Sequence, residues 1–260
     1  MKNILNLEKL LFVSLIFFTI ISYFIGFINK ENSAGGGEVD FQFVWQNLQT
    51  FESYNLLEAI KLTAVPDDKI FQSTRTPGFY IINKLLNPFT YNKDTFQISI
   101  FIFSILIPTL FYFSLLSKFK SEKKIYLLAL SSIIFLSPYF RTSAIWGLEE
   151  NLGILCVVIA GFYLSKFKDP SLLKNEKLNL FFISLSSSLC VYFDQKLVLI
   201  PLVCYLSLLF SKHKNIFKIH LTFYYVLFSL PFLYLIYLWG NIAPSADATG
   251  RGVLKNFNYH

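Results

Sequence analysis

Glu38 and Asp40 stand two residues apart directly after Gly35-Gly36-Gly37. They open a set of charged residues that flank apolar runs. Arg75 precedes Pro77, Arg141 stands ahead of Glu149 and Glu150, Asp194 lies two residues before Lys196, and Arg251 and Lys255 follow the last apolar run. A carboxylate held beside a hydroxyl can take its proton as the oxygen attacks. A cation beside a leaving phosphate stabilises the charge that builds there, and a guanidinium matches phosphate oxygens better than an ammonium does. The set therefore suits transfer of a group from a phosphate-bearing donor to a hydroxyl. Asp40 is the expected base, with Glu38 as its neighbour or substitute. Arg141, Lys196 and Arg251 are expected at the donor phosphate, and Arg75, Glu149, Glu150 and Asp194 at sugar or acceptor hydroxyls. No cofactor is expected, although Glu38 and Asp40 offer two oxygen ligands to a divalent cation should one take part.

Each residue also has a structural reading. Asp40 can cap a helix starting at Phe41, and Glu149 and Glu150 can occupy a first helical turn, where the dipole favours them. Asp194 and Lys196 can bracket a tight helix hairpin. Asp67 and Asp68 after Pro66 read as a solvated turn, and Arg251 and Lys255 as loop surface. Cys156, Cys190 and Cys204 lie inside apolar runs with no His at ligand spacing, so they read as small buried hydrophobes. The signal lies in the combination.

Such residues need elements to hold them, and the composition says what kind. Hydrophobic residues make up 54% of the 260 and charged ones 15%, with a mean hydropathy of +0.52. This suits a chain whose solvent is mostly lipid. The net charge of +7 comes from lysines in short loops, which fits positive-inside bias rather than nucleic-acid binding. Seven apolar segments follow, at 10–28, 97–116, 125–140, 151–164, 178–192, 197–210 and 221–239, each read as a crossing in an all-α polytopic membrane protein. The first is too long for a signal peptide and lacks an A-x-A cleavage site, so it reads as a retained anchor.

The loops set the orientation. Lys118, Lys120, Lys123 and Lys124 fill the second connection, Lys166, Lys168, Lys174 and Lys177 the fourth, and Lys212, Lys214 and Lys218 the sixth. That alternation puts the N-terminus on the cytoplasmic side of an inner membrane and the C-terminal end outside. Every carboxylate named above then falls outside. The first outer loop, 29–95, is far longer than a connector and is expected to be folded. Within it Phe41, Val44, Trp45, Leu48 and Phe51 recur at helical spacing, a stripe suited to the membrane interface. The run 78–86 (GFYIINKLL) reads as a second interfacial helix after the Pro77-Gly78 turn.

The order of EVDFQF, RTPGFYII, AIWGLEENLGIL and YFDQKLVLIP, closed by WGNIAPSADATGRG, resembles the GT-C superfamily of membrane glycosyltransferases. Within it the likeness is greatest to the dolichyl-phosphate-glucose α-1,2-glucosyltransferases. The resemblance implies a long first outer loop with an acidic motif and interfacial helices, and a polyprenyl-phosphate sugar as donor. The acceptor would be a glycan or lipid-linked saccharide. It adds Gln195 to the sugar-facing set. Two departures matter. The family's acidic pair is adjacent Asp-Glu, whereas Val39 separates Glu38 from Asp40, which leaves open which is the base. Asp194-Gln195 stands where the family has Arg-Gln, so a cation is missing or supplied by Lys196. Family members continue with further helices beyond this point, so the chain reads as a truncated frame or a minimal relative.

Two rivals remain at this level. A transport component places ionisable residues in mid-membrane, whereas here they sit at segment ends. A polymerase or ligase of surface polysaccharide more often carries its large outer loop later in the chain.

Overall fold

The computed structural model describes residues 2–64, 76–120, 122–167, 176–211 and 215–240. Among them all regular structure is helical, with no strand. α1 (Lys2–Ile28) is followed by three helices of the first connection, α2 (Gly37–Ser53), α3 (Leu56–Ala64) and α4 (Gly78–Leu86). Next come α5 (Lys93–Ser104), α6 (Leu106–Lys118), α7 (Lys124–Ser132) and α8 (Pro138–Trp146). α9 (Glu150–Phe167), α10 (Glu176–Leu189), α11 (Leu199–Leu209) and α12 (Asn215–Trp239) complete the order.

Four of these are long and apolar enough to cross a bilayer: residues 9–28 of α1, α5 and α6 taken together, α9, and α12. The bent pair of α7 and α8 makes a fifth if it is one span. By length and composition these helices are consistent with a multi-pass membrane protein. Leu10, Leu11, Phe17 and Phe18 on α1 and Phe223, Val226 and Leu233 on α12 are exposed, as befits surfaces that lipid covers. Hydroxyls within these helices satisfy themselves locally. Thr19, Ser104 and Ser229 donate to the carbonyls of Ile16, Ile100 and Tyr225 at 2.7–2.8 Å. In hydrocarbon an unmade bond costs several kcal/mol, roughly.

All seven apolar segments are found as helices, but not all as single crossings. Segment 97–116 stays within one candidate crossing, Lys93–Lys118, although its helix is interrupted at Ile105, where Pro108 has no N–H to give the carbonyl of Ser104. Segment 125–140 is cut sooner. α7 runs into a 3-10 turn at Ile133–Leu136. Ser137 then caps α8 by accepting from the Phe140 N–H, with Pro138 as first helical residue, and the chain turns by 66°. A serine cap followed by proline is a helix start, and it overrides the continuous hydropathy. The third connection is therefore not the short loop expected around Arg141 but a helix, α8. Segment 197–210 forms an apolar helix of shorter length, Gln195–Leu209.

The core divides between the two ends of the bundle. At one end Phe167, Leu180, Leu208, Phe217 and Leu221 pack together where α9, α10 and α12 carry Lys166, Lys177 and Lys218. At the other end the loop helices α2 and α4 pack with α5, α8 and α9 around Phe41, Leu48, Phe51, Phe79, Phe96 and Phe140. This corrects the expectation for the α2 stripe. Phe41, Val44, Leu48 and Phe51 are all buried against protein rather than laid on lipid, since one apolar stripe at helical spacing serves either surface. α4 matches its predicted bounds and does carry an exposed apolar end at Leu85 and Leu86.

Candidate functional site

α8 is the hub of the acidic end. Tyr139, Thr142, Ser143 and Trp146 are spaced i, i+3, i+4 and i+7 and share one face, while Arg141 points the other way. The shared face collects three distant segments. Gly37, at the head of α2, sits so close to Thr142 and Trp146 that an added Cβ would lie 2.4 Å from the indole. The Ala34 N–H donates to Thr142 Oγ1 at 2.9 Å, and Trp146 Nε1 donates to the carbonyl of Glu31 at 3.0 Å. On the same face Tyr139 donates to Asp194 Oδ2 at 2.7 Å, and Ser143 Oγ lies 3.3 Å from Glu150 Oε2. Lys196 Nζ lies 3.3 Å from the Tyr139 hydroxyl and faces its ring. The carboxyls of Glu149, Glu150 and Asp194 all stand within electrostatic reach of that hydroxyl.

Two glycines set the Asp194 turn in place. A Cβ on Gly153, one turn into α9, would lie 2.8 Å from Leu197 Cδ1 and 3.2 Å from Asp194 Cβ. One on Gly78 would lie 2.5 Å from the Tyr192 carbonyl oxygen, which also accepts from Thr76 Oγ1 at 2.6 Å. The Pro77-Gly78 step is thus a buttress as well as a turn. Gly78→Ala meets backbone and is expected to cost about 1–3 kcal/mol. Gly161→Ala, with nothing within 4 Å, should gain about 0.5–1 kcal/mol. Thermal unfolding of the two variants in detergent checks the ordering.

The predicted residues fall into distinct places. Glu149, Glu150 and Asp194 are buried in one cluster. Asp194 caps the 3-10 turn Gln195–Leu197 by accepting from the Lys196 N–H at 3.0 Å. Asp194 and Lys196 both reach Tyr139, a hub that neither structural reading foresaw. Glu150 opens α9, as its dipole reading expects. Gln195 is half-buried beside the cluster, and Lys196 is exposed. Asp40 is half-buried and Glu38 exposed, both in the first turn of α2. The helix starts at Gly37, not Phe41. Its cap is Gly36 in the left-handed conformation, with Asn32 Oδ1 accepting from the Gly37 N–H at 2.9 Å. Asp40 is therefore not the N-cap.

Arg141 departs most from its expected role. It is buried, and its five N–H donors are all placed. Nε donates to Glu31 Oε1 at 3.0 Å, and Nη2 to Glu31 Oε2 and the Ser22 carbonyl. Nη1 donates to Ser22 Oγ and the Phe135 carbonyl, both at 3.1 Å. This clamp ties α1 to α8 and leaves no donor for a phosphate. Arg75, Arg251 and Lys255 lie outside the described residues, as do the Asp67-Asp68 turn and Lys168, Lys174, Lys212 and Lys214.

Sequence reasoning missed Tyr139, Ser143 and Glu31. Tyr139 ends an apolar run that reads as a crossing, and only the Ser-Pro start of α8 hints that it faces a site. Compared with protein-family models, with curated proteins and with solved structures, the chain has no match.

Proposed function

We propose that this chain is a membrane glycosyltransferase of the GT-C kind. It would move a sugar from a polyprenyl-phosphate donor to a hydroxyl of a glycan or lipid-linked acceptor at the outer face of a cytoplasmic membrane. The observation that carries the reading is the single face of α8. It touches the head of α2, whose first turn carries Glu38 and Asp40, and it bonds the buried Asp194 and Glu150 through Tyr139 and Ser143. Carboxyls that converge from separated segments on one surface suit recognition of several hydroxyls and removal of a proton from one.

In this reading Asp40 is the base. Glu149, Glu150 and Asp194, with Gln195 nearby, hold sugar and acceptor hydroxyls, and Tyr139 fixes the Asp194 carboxyl. Lys196, exposed at the edge of the cluster, takes the donor phosphate together with Arg75 and Arg251. Arg141 moves from phosphate binding to holding α8 against α1. The seven apolar segments make seven passages through or into the bilayer, with the N-terminus cytoplasmic and the acidic end outside. The lysines at the opposite end of the bundle support that sidedness.

Purified protein in proteoliposomes should transfer labelled sugar from a polyprenyl-phosphate hexose to a lipid acceptor, and should ignore the matching sugar nucleotide. Transfer from the nucleotide alone would overturn the donor class, and transfer from neither would overturn the enzyme.

A further inference from the structure

Two apolar stretches on the outer surface of α11 and α12 join into one groove. The first, of about 460 Å³, is lined by Leu202 and Tyr205 of α11 and by Val226, Leu230 and Leu233 of α12. The second, of about 490 Å³, is lined by Lys218, Ile219, Thr222, Phe223 and Val226. Thr222 and Val226 belong to both. At the helical rise the groove follows α12 from Lys218 to Leu233 for about 22 Å. That exceeds the roughly 15 Å of hydrocarbon in one leaflet. Leu202, Ile219, Phe223 and Leu230 are exposed, and α12 is long and apolar enough to cross a bilayer, so the groove opens toward lipid.

The hydroxyls along it are already engaged. Tyr205 donates to Thr222 Oγ1 at 3.2 Å, Thr222 to the Lys218 carbonyl at 3.0 Å and Ser229 to the Tyr225 carbonyl at 2.7 Å. The Tyr225 hydroxyl meets Ser187 Oγ at 2.8 Å. The Lys218 ammonium is different. Lys218 is half-buried, and among the described residues no hydrogen bond or ion pair holds its Nζ. From Gln195 to Gly240, a stretch that includes both helices, the sequence has no Asp or Glu. Lys218 also stands in the first turn of α12, where the helix dipole disfavours a cation. A charge at the edge of hydrocarbon costs free energy unless it is wet or paired, and a phosphate oxygen pairs with an ammonium directly.

Its neighbours Phe217 and Leu221 pack with Phe167 and Leu180, which puts Lys218 at the end of the bundle away from the acidic cluster. Lys196, proposed for the donor phosphate, stands before the opposite end of α11. We infer that the groove holds an anionic phospholipid of the bilayer, with its phosphate on Lys218 and one acyl chain lying between α11 and α12. Basic pockets between membrane helices recognise anionic head groups in this way. A second copy of the chain, packed here through the same two helices, would bring no carboxylate to Lys218. The inference is independent of the transferase reading, and its test needs no turnover.

The full chain is placed in phosphatidylcholine nanodiscs doped with diazirine-tailed phosphatidylglycerol or, separately, with diazirine-tailed phosphatidylcholine. Phosphatidylglycerol should label peptides containing Leu202, Val226 and Leu230 about fivefold above phosphatidylcholine. Lys218→Gln should erase that preference, and Lys218→Arg should keep it. Val226→Trp, which blocks the groove where its two stretches meet, should lower labelling of these peptides by both probes. Labelling of α1 peptides containing Phe17 should stay the same in every variant, which checks that each one is folded and inserted. Equal labelling by the two probes in the wild type overturns the inference, as does a preference that survives Lys218→Gln. A dimer that shields these peptides from both probes also overturns it, and gives the groove to a second copy.

Discussion

Asp40→Asn is expected to lower sugar transfer by about 10²–10⁴-fold, the usual worth of a positioned general base, with membrane insertion and thermal stability close to wild type. The stability half of this expectation follows from the start of α2. The cap is made by Gly36 and Asn32 rather than by Asp40, so an amide at position 40 does not undo it. The loss of one carboxylate from the first turn costs about 0.3–1 kcal/mol through the helix dipole. Glu38→Gln serves as the comparison. Glu38 shares the dipole environment but is exposed, and its variant should retain most activity. Initial rates of transfer in proteoliposomes, with substrate saturation curves, separate the two. The loss in Asp40→Asn should fall on kcat, because the group acts in the reacting step. Full activity in Asp40→Asn would remove Asp40 from the base role and leave Glu150 and Asp194 as the carboxyls to test next.

The helices were legible because lipid is an unforgiving solvent. Seven apolar runs could not be anything but helices or buried strands, and Gly78–Leu86 matched its predicted bounds because a Pro-Gly step preceded an apolar period of 3.6. What the sequence hid was direction. The stripe at Phe41, Val44, Leu48 and Phe51 has the same spacing whether it meets lipid or protein, and only packing against α4 and α8 decides. Hydropathy likewise carried straight through Ser137-Pro138, although that dipeptide turns the chain and makes Tyr139 part of the site. The carboxyl cluster at Glu149, Glu150 and Asp194 was half legible, as residues at segment ends with no obvious partners. Its partner Tyr139 was not, because an aromatic among aromatics carries no mark.

Arg141 shows the opposite failure, a charge whose type suggested a ligand and whose neighbours make it a fastener. Glu31→Ala is expected to cost about 2–4 kcal/mol, near the figure for breaking a buried pair and reduced because Glu31 is partly wet. Arg141→Met should cost less. Arg141 is 7% exposed and Glu31 31%, so removing the glutamate strands a buried guanidinium, while removing the arginine leaves a carboxylate that water can reach. The double variant should regain most of the loss of Glu31→Ala, since the stranded charge goes with its partner. Thermal unfolding in detergent gives the order, and a larger loss in Arg141→Met than in Glu31→Ala would contradict this account. The pair also predicts a pH dependence. Hydrogen bonding from Arg141 holds the Glu31 carboxyl below its ordinary value of 4.5, against an opposing effect of burial. A group with a depressed folded pKa adds stability above its unfolded pKa and gives it up as pH falls through the folded value. The wild type should therefore lose stability below about pH 4.5 more steeply than Glu31→Gln, which has no proton to take up, and the two curves should approach each other at the acid end.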